Sequence, residues 1–343
     1  TTQAVYEFTF EDVQTSVELS KADLTDGKEL PGASLQVLDS NGTVVEEWIS
    51  TDEPHLIRGL LVGETYTMVE TKPADGYTTA ESIEFKVEDT AEVQKHQMLD
   101  DVTKVEISKT DVTDSKEVPG AKLTILDKDG KVVDSWVSKK DPHMVEKLPV
   151  GTYTLREEQA PDGYLVAEEV SFEVKDTGEI QKVEMKDARP VGKLVLKKTG
   201  AEDGSPLAGA EFELRIKKSG KVVATLVTDE EGIATSGDIP IASYKDGKMK
   251  KEIEYILVET KAPDGYVRSE KEESVVFTYQ DDKTKEIEIT KELTNERIPT
   301  GDYVKSPKTG DDTNIWLPIL LLVLSVGGIA GIFWYTKKKN HEE

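Results

Sequence analysis

The sequence has no cysteine among its 343 residues. That excludes disulfides, thiolate nucleophiles and cysteine-ligated metals, so any covalent stabilisation must use other chemistry. Histidine is nearly as scarce. His55, His96, His143 and His341 are scattered, and no metal, phosphate-loop or nucleophile-elbow spacing accompanies them. Positive charge is outweighed, with 43 Lys+Arg against 68 Asp+Glu and a net charge of −25. A surface of that sign repels nucleic acid and anionic lipid, so neither is expected as a partner. No cofactor, metal or turnover enzyme is expected from this inventory. Helical periodicity is also missing ahead of the C-terminal apolar run.

What is present is repetition. Residues 17–42, VELSKADLTDGKELPGASLQVLDSNG, align without a gap to residues 105–130, VEISKTDVTDSKEVPGAKLTILDKDG. Trp48 and Trp136, and His55 and His143, keep the same offset. A third, longer copy begins KLVLKKTGAEDGSPLAGAEFELR at Lys193. A period this long is a whole domain rather than a solenoid unit.

Within each copy the pattern is β. Val17, Leu19 and Lys21 alternate, as do Val105, Ile107 and Lys109, and Leu194, Leu196 and Lys198. Ser-Asn-Gly at 40–42 and Lys-Asp-Gly at 128–130 sit between apolar runs and read as hairpin turns. The Asp-x-Asp-Gly piece at 127–130 lacks the rest of an EF-hand loop, so it reads as a hairpin rather than a calcium site. Short strands with regular turns predict an all-β chain of tandem Ig-like β-sandwiches, with roughly seven strands in each of the first two copies. The stretch around residues 232–251, rich in Gly, Asp and Lys, is expected as a long surface loop. His55 and His143, each following a proline, are expected as surface residues of matched loops.

The C-terminus carries a different signal. Residues 316–335, WLPILLLVLSVGGIAGIFWY, form an uncharged run of 20 residues, long enough to cross a bilayer core as one helix. Trp316, Trp334 and Tyr335 sit at its ends, and Lys337, Lys338 and Lys339 follow it. That polarity keeps the short tail cytoplasmic and the preceding chain outside. Just ahead lies SPKTG, formed by Ser306, Pro307, Lys308, Thr309 and Gly310. Pentapeptide, apolar span and basic tail together resemble a Gram-positive cell-wall sorting signal of the LPxTG type, with Ser306 at the position usually held by Leu. The resemblance implies that a sortase transpeptidase cleaves between Thr309 and Gly310 and joins Thr309 to peptidoglycan. No secretory signal begins the sequence, and residues 8–21 resemble residues 96–109. Residues 1–12 are therefore expected to be the last strand of a truncated upstream repeat. Residues 13–101, 102–189 and 190–299 are then three repeats, the third with an insertion. They are followed by a linker at 300–314 with the sorting motif, a transmembrane helix at 315–336 and a cytoplasmic tail at 337–343.

The alternation also puts a lysine on the same face as two core-directed aliphatics in every repeat: Lys21, Lys109 and Lys198. A buried ammonium is costly unless it is neutralised or paired. Partners recur. Residues 69–77 read VETKPADGY, residues 156–164 REEQAPDGY and residues 258–266 VETKAPDGY, placing Glu70, Glu157 and Glu259 seven residues ahead of a Tyr. A third polar group follows near the end of each last strand: Asp100, Asp187 and Asn295. Lys197, Asp101 and Glu158 are neighbouring alternatives to Lys198, Asp100 and Glu157, and strand register decides between them. Adjacent glutamates such as Glu157 and Glu158 point to opposite faces of a strand, so they cannot flank one glycosidic bond.

This Lys…Glu…DGY…Asp/Asn set resembles the collagen-adhesin B-type domains (CnaB, SpaA-type, prealbumin-like) of Gram-positive surface proteins, over nearly all of residues 13–299. The resemblance implies that lysine and Asp or Asn condense into an intramolecular isopeptide bond and that the Glu catalyses the step. The implied triads are Lys21–Glu70–Asp100, Lys109–Glu157–Asp187 and Lys198–Glu259–Asn295. An apolar pocket is expected to lower the lysine pKa and raise that of the glutamic acid. A neutral amine is a nucleophile, and a protonated Glu can shuttle protons. The expected function is a sortase-anchored, wall-attached surface stalk or adhesin segment whose upstream region displays a site for a host or environmental ligand. A sortase-polymerised pilin subunit and the anchoring region of a larger surface enzyme are the alternatives.

Overall fold

A computed structural model describes residues 12–299. The expected upstream strand at residues 1–12, almost all of it, and the sorting motif, apolar span and basic tail lie outside the described residues. Among the described residues, no helix is long and apolar enough to cross a membrane.

The first sandwich contains β1 (Ser16–Asp23), β2 (Ser34–Leu38), β3 (Val44–Ile49), β4 (His55–Arg58), β5 (Thr65–Lys72), β6 (Ile83–Lys86) and β7 (Val93–Asp100). One sheet has the order β4-β1-β7 and the other β3-β2-β5-β6. In β1 the two-residue period turns Val17, Leu19 and Lys21 inward. Leu35, Val37, Met68 and Phe85 meet them from the facing sheet and close the core. β1 is antiparallel to β4 but parallel to β7, with Ser16 opposite Val93 and Asp23 opposite Asp100. The first and last strands of the sandwich are therefore hydrogen-bonded neighbours running the same way.

The second sandwich repeats this plan with β8 (Lys104–Asp111), β9 (Lys122–Leu126), β10 (Val132–Val137), β11 (His143–Glu146), β12 (Gly151–Gln159), β13 (Val170–Val174) and β14 (Ile180–Asp187). Its sheets are β11-β8-β14 and β10-β9-β12-β13, and β8 and β14 are again parallel. The 127–130 turn is a hairpin. Asp127 Oδ1 accepts the N–H groups of Asp129 and Lys131 at 2.9 Å each, and Gly130 takes φ +78°.

The third sandwich begins with β15 (Val191–Gly200), β16 (Glu211–Ile216), β17 (Val222–Val227), β18 (Ile233–Thr235) and β19 (Ile239–Pro240). It continues with β20 (Ala242–Lys245), β21 (Lys248–Glu252), β22 (Glu254–Lys261), β23 (Glu273–Val276) and β24 (Glu286–Asn295). β15 lies parallel to β24, and the second sheet runs β17-β16-β22-β23. The segment expected as a long surface loop is instead ordered. β18 and β19 share the free edge of β15, and β20 and β21 form a hairpin. Composition concealed this because a few apolar residues suffice: Ala234, Ile239 and Ile241 turn into the core, and Tyr244 and Met249 pack against it.

Candidate crosslinking sites

Each sandwich buries one lysine completely. Lys21, Lys109 and Lys198 are 1 % exposed and rank among the largest fully buried side chains of the protein. An ammonium so placed costs several kcal/mol unless it is compensated. Compensation comes from across the core and from the neighbouring strand. Lys21 Nζ lies 2.9 Å from Glu70 Oε1, Lys109 Nζ 3.2 Å from Glu157 Oε2 and Lys198 Nζ 3.5 Å from Glu259 Oε1. Each lysine also donates directly to its acceptor on the last strand: Lys21 to Asp100, Lys109 to Asp187 and Lys198 to Asn295. All three sets of residues named from the sequence are thus brought together. The sorting-motif residues Ser306, Pro307, Lys308, Thr309 and Gly310 lie outside the described residues.

Register decides between the neighbouring alternatives. Lys197 turns outward to Glu292 at 3.7 Å, Asp101 pairs with Lys104 at 2.8 Å, and Glu158 is exposed. A bulge follows each inward Glu. Leu35 faces Glu70 but Ser34 faces Lys72, Leu123 faces Glu157 but Lys122 faces Gln159, and Phe212 faces Glu259 but Glu211 faces Lys261. The skipped residue lets the strand send the Glu inward and the next two side chains out.

The glutamates are oriented from the backbone. Ala80 N–H donates to Glu70 Oε2 at 2.6 Å, Ala167 N–H to Glu157 Oε2 at 2.7 Å and Ser269 N–H to Glu259 Oε2 at 2.6 Å. With one oxygen tethered, the other faces the acceptor. In the third sandwich Asn295 Nδ2 donates to Glu259 Oε1 at 2.8 Å. In the first two the acceptor is a carboxyl, and Glu70 Oε1, Asp100 Oδ2, Glu157 Oε1 and Asp187 Oδ2 have no hydrogen-bond partner. Glu70 Oε1 feels the Lys21 charge at 2.9 Å, but the direction is not that of a hydrogen bond. Two acceptor oxygens facing one another call for a proton between them. Burial, with the nearby Glu charge adding to it, pushes Asp100 and Asp187 up to about 7, against the opposing pull of their lysines. The acceptor acids are thereby held closer to the neutral form than an exposed carboxyl would be. Burial also lowers Lys198 below the usual lysine range. A buried amine that gives up its proton, a neutral carbonyl acceptor and a tethered carboxylate are together competent for amide formation.

One expectation needs correction. His55 and His143 are not loop residues: they open β4 and β11 and stack on Trp48 and Trp136, with ring centroids 4.4 and 4.2 Å apart. Each ring Nε2 lies 2.9 Å from an acid on the adjacent edge strand, Glu46 or Asp134. The shared offset of the Trp and His pairs was the available signal. Sequence reasoning also missed Asp23 and Asp111, two residues after the buried lysines, which accept from the Tyr77 and Tyr164 hydroxyls at 2.7 and 2.6 Å.

Comparison with known proteins agrees with this architecture. The family described as SpaA, prealbumin-like fold domain, matches residues 15–101, 103–189 and 192–293. The solved Bacillus anthracis TIE protein is 27% identical with a TM-score of 0.54 over 83% of this chain and 52% of that one. The chain thus spans about half the length of that protein. BcpA, the major pilin subunit of Bacillus cereus, is 18% identical with a TM-score of 0.46, covering 83% of this chain and 100% of that one. A streptococcal ancillary pilin is 15% identical with a TM-score of 0.33 over 83% of this chain and 99% of that one. No curated protein matches the chain.

Proposed function

The chain belongs to the SpaA-type prealbumin-like fold family, in three tandem copies, and from that premise we propose that it is a stalk segment of a Gram-positive surface protein whose sandwiches crosslink themselves. The observation that carries the proposal is the threefold recurrence of one geometry: a fully buried lysine on the first strand contacting an Asp or Asn on the adjacent last strand, beside a tethered glutamate.

In the first sandwich the Lys21 Nζ lone pair attacks Asp100 Cγ. The Nζ–Cγ bond forms, Glu70 takes a proton from the amine and returns it to the departing hydroxyl, and water leaves. In the third, the Cγ–Nδ2 bond of Asn295 breaks, and ammonia leaves after Glu259 Oε1 passes the proton to Nδ2. Folding supplies the proximity that makes such a step unimolecular. Each site reacts once, so the process is maturation.

The consequence is mechanical. Tension entering at the end of β7 crosses from Asp100 to Lys21 and leaves along β1. The residues between them are then shielded from stretching at up to ~3.3–3.6 Å each. The sorting-type SPKTG, apolar run and basic tail support a wall-attached location, with Thr309 as the anchoring residue. The chain would be the substrate of a sortase, and a ligand-binding region upstream would be the part displayed.

The intact mass of the chain tests the chemistry. Three bonds remove about 53 Da, being ~18 Da for each water and ~17 Da for the ammonia. Glu70→Ala, Glu157→Ala and Glu259→Ala each restore only the mass of their own sandwich. A mass equal to that of the uncondensed sequence would reduce the sites to buried ion-pair networks. Thr309→Ala should release the protein from wall extracts, and covalent retention of that variant would overturn the anchoring.

A further inference from the structure

The glutamate and the Asp-Gly-Tyr turn that follows it serve different ends. At the first joint, Tyr77 donates to Asp23 Oδ2 at 2.7 Å, and Asp23 Oδ1 accepts Thr25 N–H at 2.7 Å. Into this pair comes Lys147, from the β11–β12 loop of the second sandwich. Its Nζ lies 2.5 Å from the Tyr77 hydroxyl, 3.2 Å from Asp23 Oδ2 and 4.7 Å from the Tyr77 ring centroid. Lys147 takes φ +62°, a conformation a lysine rarely adopts, and its N–H is tied to Thr103 O at 3.0 Å. Gly76 lies directly under it: a Cβ there would sit 2.4 Å from the Lys147 carbonyl oxygen. Thr103 N–H donates to Gly76 O, and Asp176 of the second sandwich accepts the Thr79 N–H and hydroxyl at 2.8 and 2.6 Å.

The second joint repeats the plan with different parts. Tyr164 donates to Asp111 Oδ2, and Arg189, just after β14, reaches the same oxygen at 2.7 Å. The Arg189 guanidinium lies 4.1 Å from the ring centroid of Tyr244, which stands on the β20–β21 hairpin of the third sandwich. Tyr244 donates to Gly163 O at 2.5 Å, and a Cβ on Gly163 would lie 2.5 Å from Met249 Cβ. Val166 N–H donates to Asp282 O. In the third sandwich no other described residue covers the same turn. Gly265 has nothing within 4 Å of a Cβ, Gly200 stands where Asp23 and Asp111 stand, and Arg297 pairs with Asp203 and Glu202 of its own sandwich.

We propose that the Asp-Gly-Tyr turns of the first two sandwiches are sockets for the sandwich that follows, and that the cation in each socket, Lys147 arriving from the second sandwich or Arg189 at the exit of β14 stacked on Tyr244 of the third, locks neighbours into one stiff unit. The glycine admits the approaching backbone or side chain, the Asp–Tyr pair supplies the charge and hydroxyl, and the next sandwich supplies the plug. The inference does not depend on amide formation, because every contact in it lies outside the crosslinking triads.

The absence of cysteine makes the test direct. Spin labels at Lys95→Cys and Lys182→Cys, both exposed positions on the last strands of the first two sandwiches, report one inter-sandwich distance in the full chain. The unmutated joint gives a single narrow distance. Lys147→Met loses it to a broad distribution, while Lys147→Arg retains it. Tyr77→Phe, which deletes one hydroxyl and leaves the ring, broadens the distribution in the same direction if Lys147→Met impairs folding. Intact mass of the same samples reports the crosslinks, so a broadened distance at unchanged mass separates the joint from the chemistry. A distance equally narrow in Lys147→Met and Tyr77→Phe would overturn the proposal.

Discussion

The first two sandwiches carry an acidic acceptor and the third carries an amide, and the surroundings of the site change with that one difference. Asn295 brings its own N–H to Glu259, so its site is satisfied without an added proton. Asp100 and Asp187 leave a carboxyl oxygen facing a glutamate oxygen, and burial answers by raising the acid so that it holds a proton. The neighbouring Asp23 shows that burial alone does not decide this. It too is buried, yet the hydroxyl of Tyr77, the Thr25 N–H and Lys147 hold it well below the usual carboxylate range. Two acids in register on neighbouring strands are thereby driven apart, Asp100 toward the neutral form beside Lys21 and Asp23 toward the charged form beside Lys147.

Removing the lysine of a proposed crosslink should have the largest effect. Lys21→Met and Lys198→Met each open a loop between residues 79 or 97 positions apart, and by the chain-entropy argument each should cost its sandwich roughly 4–5 kcal/mol in denaturant unfolding. The two variants should then differ in their response to pH. Asp100 in the folded chain stands at about 7 against an ordinary 3.8, so the folded state keeps a proton that the unfolded state has released in between. Stability from that group is complete below the unfolded value and is lost as pH rises to about 7. Lys21→Met, which also removes the lysine that pulls Asp100 down, should show this decline carried on to still higher pH, and Lys198→Met, with an amide acceptor, should lack it in the third sandwich.

Arg189 and Arg297 follow their respective acceptors by the same two positions and break the comparison differently. Arg189→Ala strands the fully buried Asp111 carboxylate and should cost about 3 kcal/mol by thermal or denaturant unfolding. Arg297→Ala removes an exposed pair and should leave the melting temperature unchanged. Equal effects from the two would erase the distinction between an occupied and an open socket.

Exchanging acceptors sharpens the comparison further. Chain recovered unfolded and refolded at set pH should condense in the first sandwich with a rate that falls, relative to the third, by up to about tenfold per unit above pH ~7. Asp100→Asn should remove that dependence and change the mass loss from ~18 to ~17 Da, while Asn295→Asp should introduce both. Unchanged pH profiles in both exchanges would show that the acceptor proton plays no part.

Much of this molecule is written locally. The alternation around Lys21, Lys109 and Lys198 and the turn after each Glu were enough to read an all-β repeat and the members of each triad. Hairpins were legible because Asn-Gly and Asp-Gly have few other uses between apolar runs. The β20–β21 hairpin was not, because its Gly, Asp and Lys composition is that of a loop and its order comes from Tyr244 and Met249 meeting the second sandwich. Nor were the sockets: Lys147 lies 124 positions from Asp23, and Arg189 lies 78 from Asp111.

The sequence by itself determined that alternate side chains of each strand share a face, since the two-residue period of a strand is a property of the covalent chain. It therefore determined that each sandwich would bury a lysine with an acid and an acid or amide near it. Only the tertiary structure decided that Lys198 and not Lys197 is the buried one, that burial raises the acceptor acids, and that the Asp-Gly-Tyr turns of the first two sandwiches receive the next sandwich. Those outcomes depend on which groups lose water together, and residues far apart in the chain share a desolvated space only once the sheets have closed over them.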